Sequence, residues 1–481
     1  MKRLLLILGS VLLSVNFSIT AFAANHYIRD GAVGGEPCSD WSDANACDAL
    51  PATLIRGDTY YVADGTYAGY NFDDAESGVL VITVKKATGT DHGGQETGWL
   101  SSYGDGQALF TGLCIFKSSY WILDGVTGGG PSNNWVNNFG FNITETIEDN
   151  EMIRVGMPPY FPGGLKQANN IIIRHVELHG KGSVSVNSGG AWNDGISVYA
   201  GSDVLLSYFL IDQVGRCPFF LSGQNFIAEY GYIGMYYYSA AVHSEVAAIW
   251  SFGSGTVGDH TFRYTIFTQI QGTGGLIWDN SANPSAQLYA YGNIFYKSSG
   301  STWVLSNGII SGWTGFSFAN VRVVNNTFID TETGGNMLGT APGVGFMSNN
   351  VAQNNLFYSV AGPGGDVGWS TISYNHFING PTIGTNSTTG SSDPFTNYVN
   401  LDFSLVTASS PINVGVNLGA PYAQDIVGLS RPQGATYDAG AYEFDQGGAG
   451  QSPDPPSGGS YLSSQRPASQ ARSAAPARAL R

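Results

Sequence analysis

Short apolar runs recur along this chain between clusters of Gly, Asn and Ser: "NIIIRHVEL", "DVLLSYFLI", "NFIAEYGYI", "HTFRYTIF", "QLYAYGNIF", "VRVVNNTF", "VAQNNLF" and "STISYNHF". Each is rich in β-branched and aromatic residues, and no stretch keeps a 3.6-residue period over three turns, so the chain is predicted to be all-β. The last five runs share a tripeptide: "TIF" at Thr265, "NIF" at Asn293, "NTF" at Asn326, "NLF" at Asn355 and "NHF" at Asn375, with steps of 28, 33, 29 and 20 residues. With the three earlier runs this makes eight rungs between Asn170 and Phe377. Propeller blades of about 40 to 50 residues do not fit such steps, whereas coils of a parallel β-solenoid vary in loop length and keep their strands in register. The asparagines are expected to hydrogen-bond from coil to coil across about 4.8 Å, with the phenylalanines stacked inside.

The ends extend this pattern. "YYVADGTYAGYNF" and "VLVITVKKA" read as first coils after a cap, and "DAGAYEF", Asp438 to Phe444, as a last strand closing the stack. The expected organisation is an N-terminal cap with first coils over 24–110 and the main solenoid over 111–445, roughly ten coils in all. Residues 446–481 are Gly, Ser, Pro, Ala and Arg with almost no core formers, a composition expected to stay disordered. Residues 1–23 open on Lys2 and Arg3, continue through "LLLILGSVLLSV" and end on Ala21-Phe22-Ala23, the pattern of a cleaved secretory signal. Its apolar run is short for a bilayer span, and no later segment is apolar enough, so an exported protein that is not integral to a membrane is expected.

Charge narrows the partners. Six of the 20 cations lie at the two ends (Lys2, Arg3, Arg466, Arg472, Arg478, Arg481), which leaves 14 against 36 acidic groups over 24–465, a net charge of −22. Such a body repels nucleic acid and anionic membranes, and holds a polyuronate only through a local cation or bound calcium. Of the four cysteines, Cys38 and Cys47 are spaced for a disulfide, while Cys114 and Cys217 lie in strand-like runs as buried thiols.

"HYIRDGAVGG", "LIRGDTYYVADGTY", "GTGGLIWDN", the "NNTF" and "NNLFY" rungs and "DAGAYE" together resemble secreted bacterial right-handed parallel β-helix proteins of the pectate lyase-like superfamily. The resemblance spans nearly all of 25–445 and implies a fold; activity does not follow from it. It implies a monomeric, carbohydrate-active protein that binds a polysaccharide along one outer sheet. The lyase pattern Arg, any, Pro, any, any, Arg is half matched by "RCPFFL", with Arg216 and Pro218 but Leu221 in the last place. The hydrolase signatures of polygalacturonases have no counterpart in the helix region.

Aligning the strands on Ile196, Phe219 and Val246 puts Asn193, Arg216 and His243 in one column, three residues before each anchor. Asp194, Cys217 and Ser244 form the next column, and Glu245 is expected to share the orientation of His243. In uronate β-elimination Arg216 would neutralise the carboxylate, His243 or Tyr238 would move the proton, and Glu245 would orient His243 or bind calcium with Asp194. Trp192, Asn193, Tyr236, Trp278 and Asp279 complete the expected substrate surface. Taken singly, each residue has an ordinary structural explanation, a surface ion pair for Arg216 and a strand position for Glu245. Hydrolysis on the same fold and a non-catalytic glycan-binding or adhesion solenoid are the competing functions.

Overall fold

The computed structural model describes residues 23–145, 147, 150–180, 193–234, 245–252, 256–268, 274–297, 308–312, 315–329, 337–339, 346–364 and 368–447. The chain winds as a right-handed parallel β-helix with three faces. The first face runs from Asn25–Ile28 through Thr59–Val62 and successive coils to Trp369–Ser373. The second runs from Gly65–Ala68 to Thr388–Gly390, and the third from Asn71–Phe72 to Ile310–Ser311. Every pairing in these faces is parallel, so each coil adds one strand per face, as the uneven repeat spacing predicts.

The corner between the first and second faces explains the repeat. Ile171–His179 and Ser202–Asp212 pass through it without a break in the ladder, bending at His175 and Tyr208, whose φ values of 57° and 52° are left-handed. Later coils bend at Tyr230, Tyr264, Asn325, Asn354 and Tyr374, all with φ between 52° and 56°. The residue after the bend turns inward and must satisfy its polar groups without water. Asparagine does so by bonding to its counterpart. Asn293 Nδ2 donates to Asn326 Oδ1 at 3.0 Å, Asn326 Nδ2 to Asn355 Oδ1 at 3.1 Å and Asn355 Nδ2 to Asn375 Oδ1 at 3.0 Å. Each of these oxygens also accepts the backbone N–H of the preceding rung. Beneath the ladder, Phe267, Phe295, Phe328, Phe357 and Phe377 stack with ring centroids 4.7 to 5.1 Å apart. The ladder stops before Gly231, where a Cβ would lie 2.1 Å from the Phe209 ring.

Other features are as the sequence implies: Cys38 and Cys47 form a disulfide, and Cys114 and Cys217 are buried free thiols. "DAGAYEF" departs from expectation. It forms no strand. It lies against the outer side of the second face, where Ala441 N donates to Thr327 Oγ1 at 2.8 Å and Gly440 N to Asn354 O at 2.8 Å. With Phe395, Leu401 and Phe403 this segment buries the outward apolar side chains of the second face, including Ile294, Ile329 and Leu356. Nearly all of the expected signal (1–22) and tail (448–481) lies outside the described residues.

Candidate functional site

The third face holds the sequence-predicted site, and its register corrects the column alignment. Ile196 pairs with Phe219, but Phe219 pairs with Ala247, not Val246. The third strand is thus slipped by one residue from the expected alignment. Glu245 falls level with Asp194 and Cys217, the column expected to hold the residue before it. Ala248 faces outward, level with Phe220, and packs in the outer aromatic cluster. The strand Glu245–Ile249 is buried at every position, so its sequence carries no alternation to fix the register.

Two paired arginines dominate the outer side of this face. Arg216 grips Asp194 with both arms of its guanidinium, Nε to Oδ1 at 2.8 Å and Nη2 to Oδ2. The Cys217 N–H donates to the same Oδ1 at 3.1 Å, and the Ser197 hydroxyl lies 3.4 Å from Oδ2. Burial disfavours the charged guanidinium, but the Asp194 carboxylate outweighs it and holds the Arg216 pKa above its ordinary value. Two coils before Arg216, Arg154 binds Glu151 through Nε at 3.1 Å and through Nη2, and the Tyr199 hydroxyl donates to Glu151 Oε1 at 2.7 Å. Burial, reinforced by Glu151, pushes the Tyr199 phenol up, so it stays protonated. The guanidiniums stack on aromatic rings, Arg154 over Phe161 at 4.7 Å and Arg216 over Phe220 at 5.0 Å. Tyr160, Trp250 and Phe252 extend this aromatic surface.

Glu245 is buried, and the Cys217 thiol donates to its Oε2 at 3.5 Å. Burial and the neighbouring carboxylates hold Cys217 far above the usual thiol range, which leaves it an inert donor. Asn193 is structural in geometry: its Nδ2 donates to Ile147 O at 2.7 Å and Asn150 O at 3.2 Å. Trp278 does not face a ligand. It is fully buried in the main core, with Nε1 donating to Ala319 O at 2.9 Å. Asp279 closes a local turn by accepting from the Ser281 N–H at 2.8 Å and hydroxyl at 2.6 Å. Trp192, Tyr236, Tyr238 and His243 lie outside the described residues. Glu151, Arg154 and Tyr199 were missed from sequence; an outward Arg154 one coil before Ser197 was the available signal.

Among the described residues no group of three or more His, Cys, Asp or Glu side chains is arranged to hold a metal ion. With both Asp194 oxygens engaged by Arg216, that carboxylate does not fit the calcium role expected of it.

The fold defines the class of protein: a right-handed parallel β-helix. No protein-family model matches the chain, and no curated protein matches it by sequence. Among solved structures it is similar to pectate lyase Pel9A, at 12% identity over 88% of this chain and 97% of that one, with a TM-score of 0.48. It is also similar to the PL6 family alginate lyase AlyGC, at 11% identity over 72% of this chain and 52% of that one, with a TM-score of 0.31. These likenesses concern chain path alone. Among the described residues no helix is long and apolar enough to cross a membrane.

Proposed function

We propose that the protein is a secreted, carbohydrate-active β-helix that cleaves an acidic polysaccharide by β-elimination on its third face. The observation that supports this reading is the pair of arginines two coils apart on this face, Arg154 and Arg216, each fixed by a carboxylate and laid on an aromatic ring. On an acidic body they are suited to a uronate carboxylate, and the rings to sugar C–H surfaces. In the proposed step Arg216 neutralises the substrate carboxylate, and His243 or Tyr238, on the segment leading into Glu245, removes the C5 proton. The electron pair forms the C4–C5 double bond as the C4–O bond breaks, and the leaving oxygen takes a proton. Glu245 positions His243.

Incubation with a panel of polyuronates is expected to raise ultraviolet absorbance as the conjugated double bond forms. Arg216→Ala combined with Asp194→Asn, which leaves no unpaired buried charge, is expected to lower the rate about 100-fold, and His243→Ala with Glu245→Ala to abolish it. Undiminished turnover in the latter pair rejects these roles. New reducing ends without absorbance would indicate hydrolysis. Binding without either product would indicate the non-catalytic solenoid, a reading favoured by the fact that each arginine is already matched to its own carboxylate. Because Asp194 is committed to Arg216, chelation with EDTA is expected to leave turnover unchanged; a loss restored by added calcium would reinstate a metal at this face.

A further inference from the structure

A cavity of about 600 Å³ lies well away from the third face, between the 125–140 insertion, the 104–107 turn and the outer side of the second face. This volume is within the usual range for small-molecule sites. Its walls carry four amides, Gln107, Asn134, Asn137 and Asn138, and its carboxylates are Asp105 and Glu177. Phe139 adds an apolar surface.

The charged groups at its base are fixed. Glu177, almost wholly buried, accepts from Gln107 Nε2 at 3.1 Å and pairs through Oε1 with His179 Nε2 at 2.6 Å. The other imidazole nitrogen of His179 binds Asp212. Burial alone would push His179 down, but Asp212 and Glu177 outweigh it and raise its pKa to about 10, so the imidazole is held as a cation between the two carboxylates. Lys86, a buried cation of the lining, is paired with Asp64 at 2.6 Å. With Asp105 the cavity is therefore net negative, which disfavours a carboxylate-bearing ligand. Amides both donate and accept, which matches hydroxyls that do the same. Asn134 leaves its buried Oδ1 without a hydrogen-bond partner, an acceptor in want of a donor.

We propose that this cavity binds a neutral, hydroxyl-rich ligand, a single neutral sugar or the end of a short neutral glycan. The site is independent of the third face and of whether that face is catalytic. A ligand here would tether the protein to neutral chains that accompany its acidic substrate.

Calorimetric titration of the full chain with glucose, galactose, mannose, galacturonate and glucosamine tests the proposal. At least one neutral sugar is expected to bind, with galacturonate weaker by about tenfold or more. Thr127→Trp, at the exposed rim, is expected to abolish binding with the circular dichroism unchanged, and Asp105→Lys to narrow the gap between neutral sugar and galacturonate. Arg216→Ala with Asp194→Asn is expected to leave neutral-sugar binding intact. Failure of every neutral sugar to bind overturns the proposal, as does galacturonate binding as tightly, glucosamine alone binding, or binding that survives Thr127→Trp. Loss of neutral-sugar binding in the Arg216 and Asp194 variant would also overturn it, because the ligand would then belong to the third face.

Discussion

Replacing Asn326 with leucine is expected to lower the stability of the folded chain by about 3–5 kcal/mol. The two side chains are close in size, so the effect comes from hydrogen bonds rather than from a void. Asn326 Oδ1 accepts from the Asn293 N–H and from Asn293 Nδ2, both at 3.0 Å, and its Nδ2 donates to Ala290 O at 2.8 Å and to Asn355 Oδ1 at 3.1 Å. Leucine strands two donors of Asn293 and removes a donor from Ala290 O in a region closed to water. Each buried orphan costs about 1–3 kcal/mol. Asn326→Asp separates the two halves of the interaction. A carboxylate still accepts from Asn293 but cannot donate to Ala290 or Asn355, and it buries a charge. Its folded pKa is therefore raised, so the destabilisation is greatest above that pKa and shrinks as pH falls and the protonated acid regains a donor. Denaturant midpoints at pH 7 and pH 5 measure both effects. A loss below about 1 kcal/mol for the leucine variant would mean that the ladder sets register without stabilising the stack.

The ladder was legible because its chemistry is restrictive. A left-handed bend followed by an inward polar residue leaves few solutions, and the one adopted from Asn293 to Asn375 repeats by name. The third face was legible only in part, for the opposite reason. Its strands are buried on both sides where they matter, and "EVAAI" offers a continuous small apolar run in which a one-residue shift costs no hydrophobic match. The slip moved Glu245 into the column of Asp194 and Cys217. Trp278 was misplaced by the same ambiguity: "GLIW" gives no parity, and in register with Ile249 its ring goes inward. The ion pairs that shape the face, Arg154 with Glu151 and Arg216 with Asp194, join residues three apart in one strand and 22 apart between coils. Only the second depended on coil register, and there the first two strands were aligned correctly. The cluster of Glu177, His179 and Asp212 escaped notice because its charges sit at the ends of long apolar strands, where single polar residues look like strand termini.

Arg431→Met is expected to cost about 3–5 kcal/mol at pH 7, because it leaves Glu443 buried without its partner. Arg431 Nη1 donates to Glu443 Oε2 at 3.0 Å and to Asp438 O at 3.0 Å, and Nη2 donates to Gly440 O at 2.7 Å, with both side chains of the ion pair fully enclosed. Two further carboxylates share the pocket. Asp425 accepts three backbone N–H groups and Asp438 two, yet burial raises each to about 6. The sign follows from proton counting. Between an unfolded value near 4 and a folded value near 6 the native state binds more protons than the unfolded one, so these two groups favour the fold as pH falls through 6 toward 4. Without Arg431 the carboxylates lose a cation that opposes the effect of their burial, their folded pKa values rise further, and protonation relieves more of the damage. The stability difference between the native chain and Arg431→Met is therefore expected to be largest at pH 7 and to shrink by pH 4.5, read from melting curves of both proteins in the same buffers. An equal difference at both pH values would assign the loss to the hydrogen bonds to the Asp438 and Gly440 carbonyls, with no part played by stranded charge. In that case the segment after Pro432 is held to the second face by backbone capture and by the apolar contacts of Ala441 and Tyr442 alone.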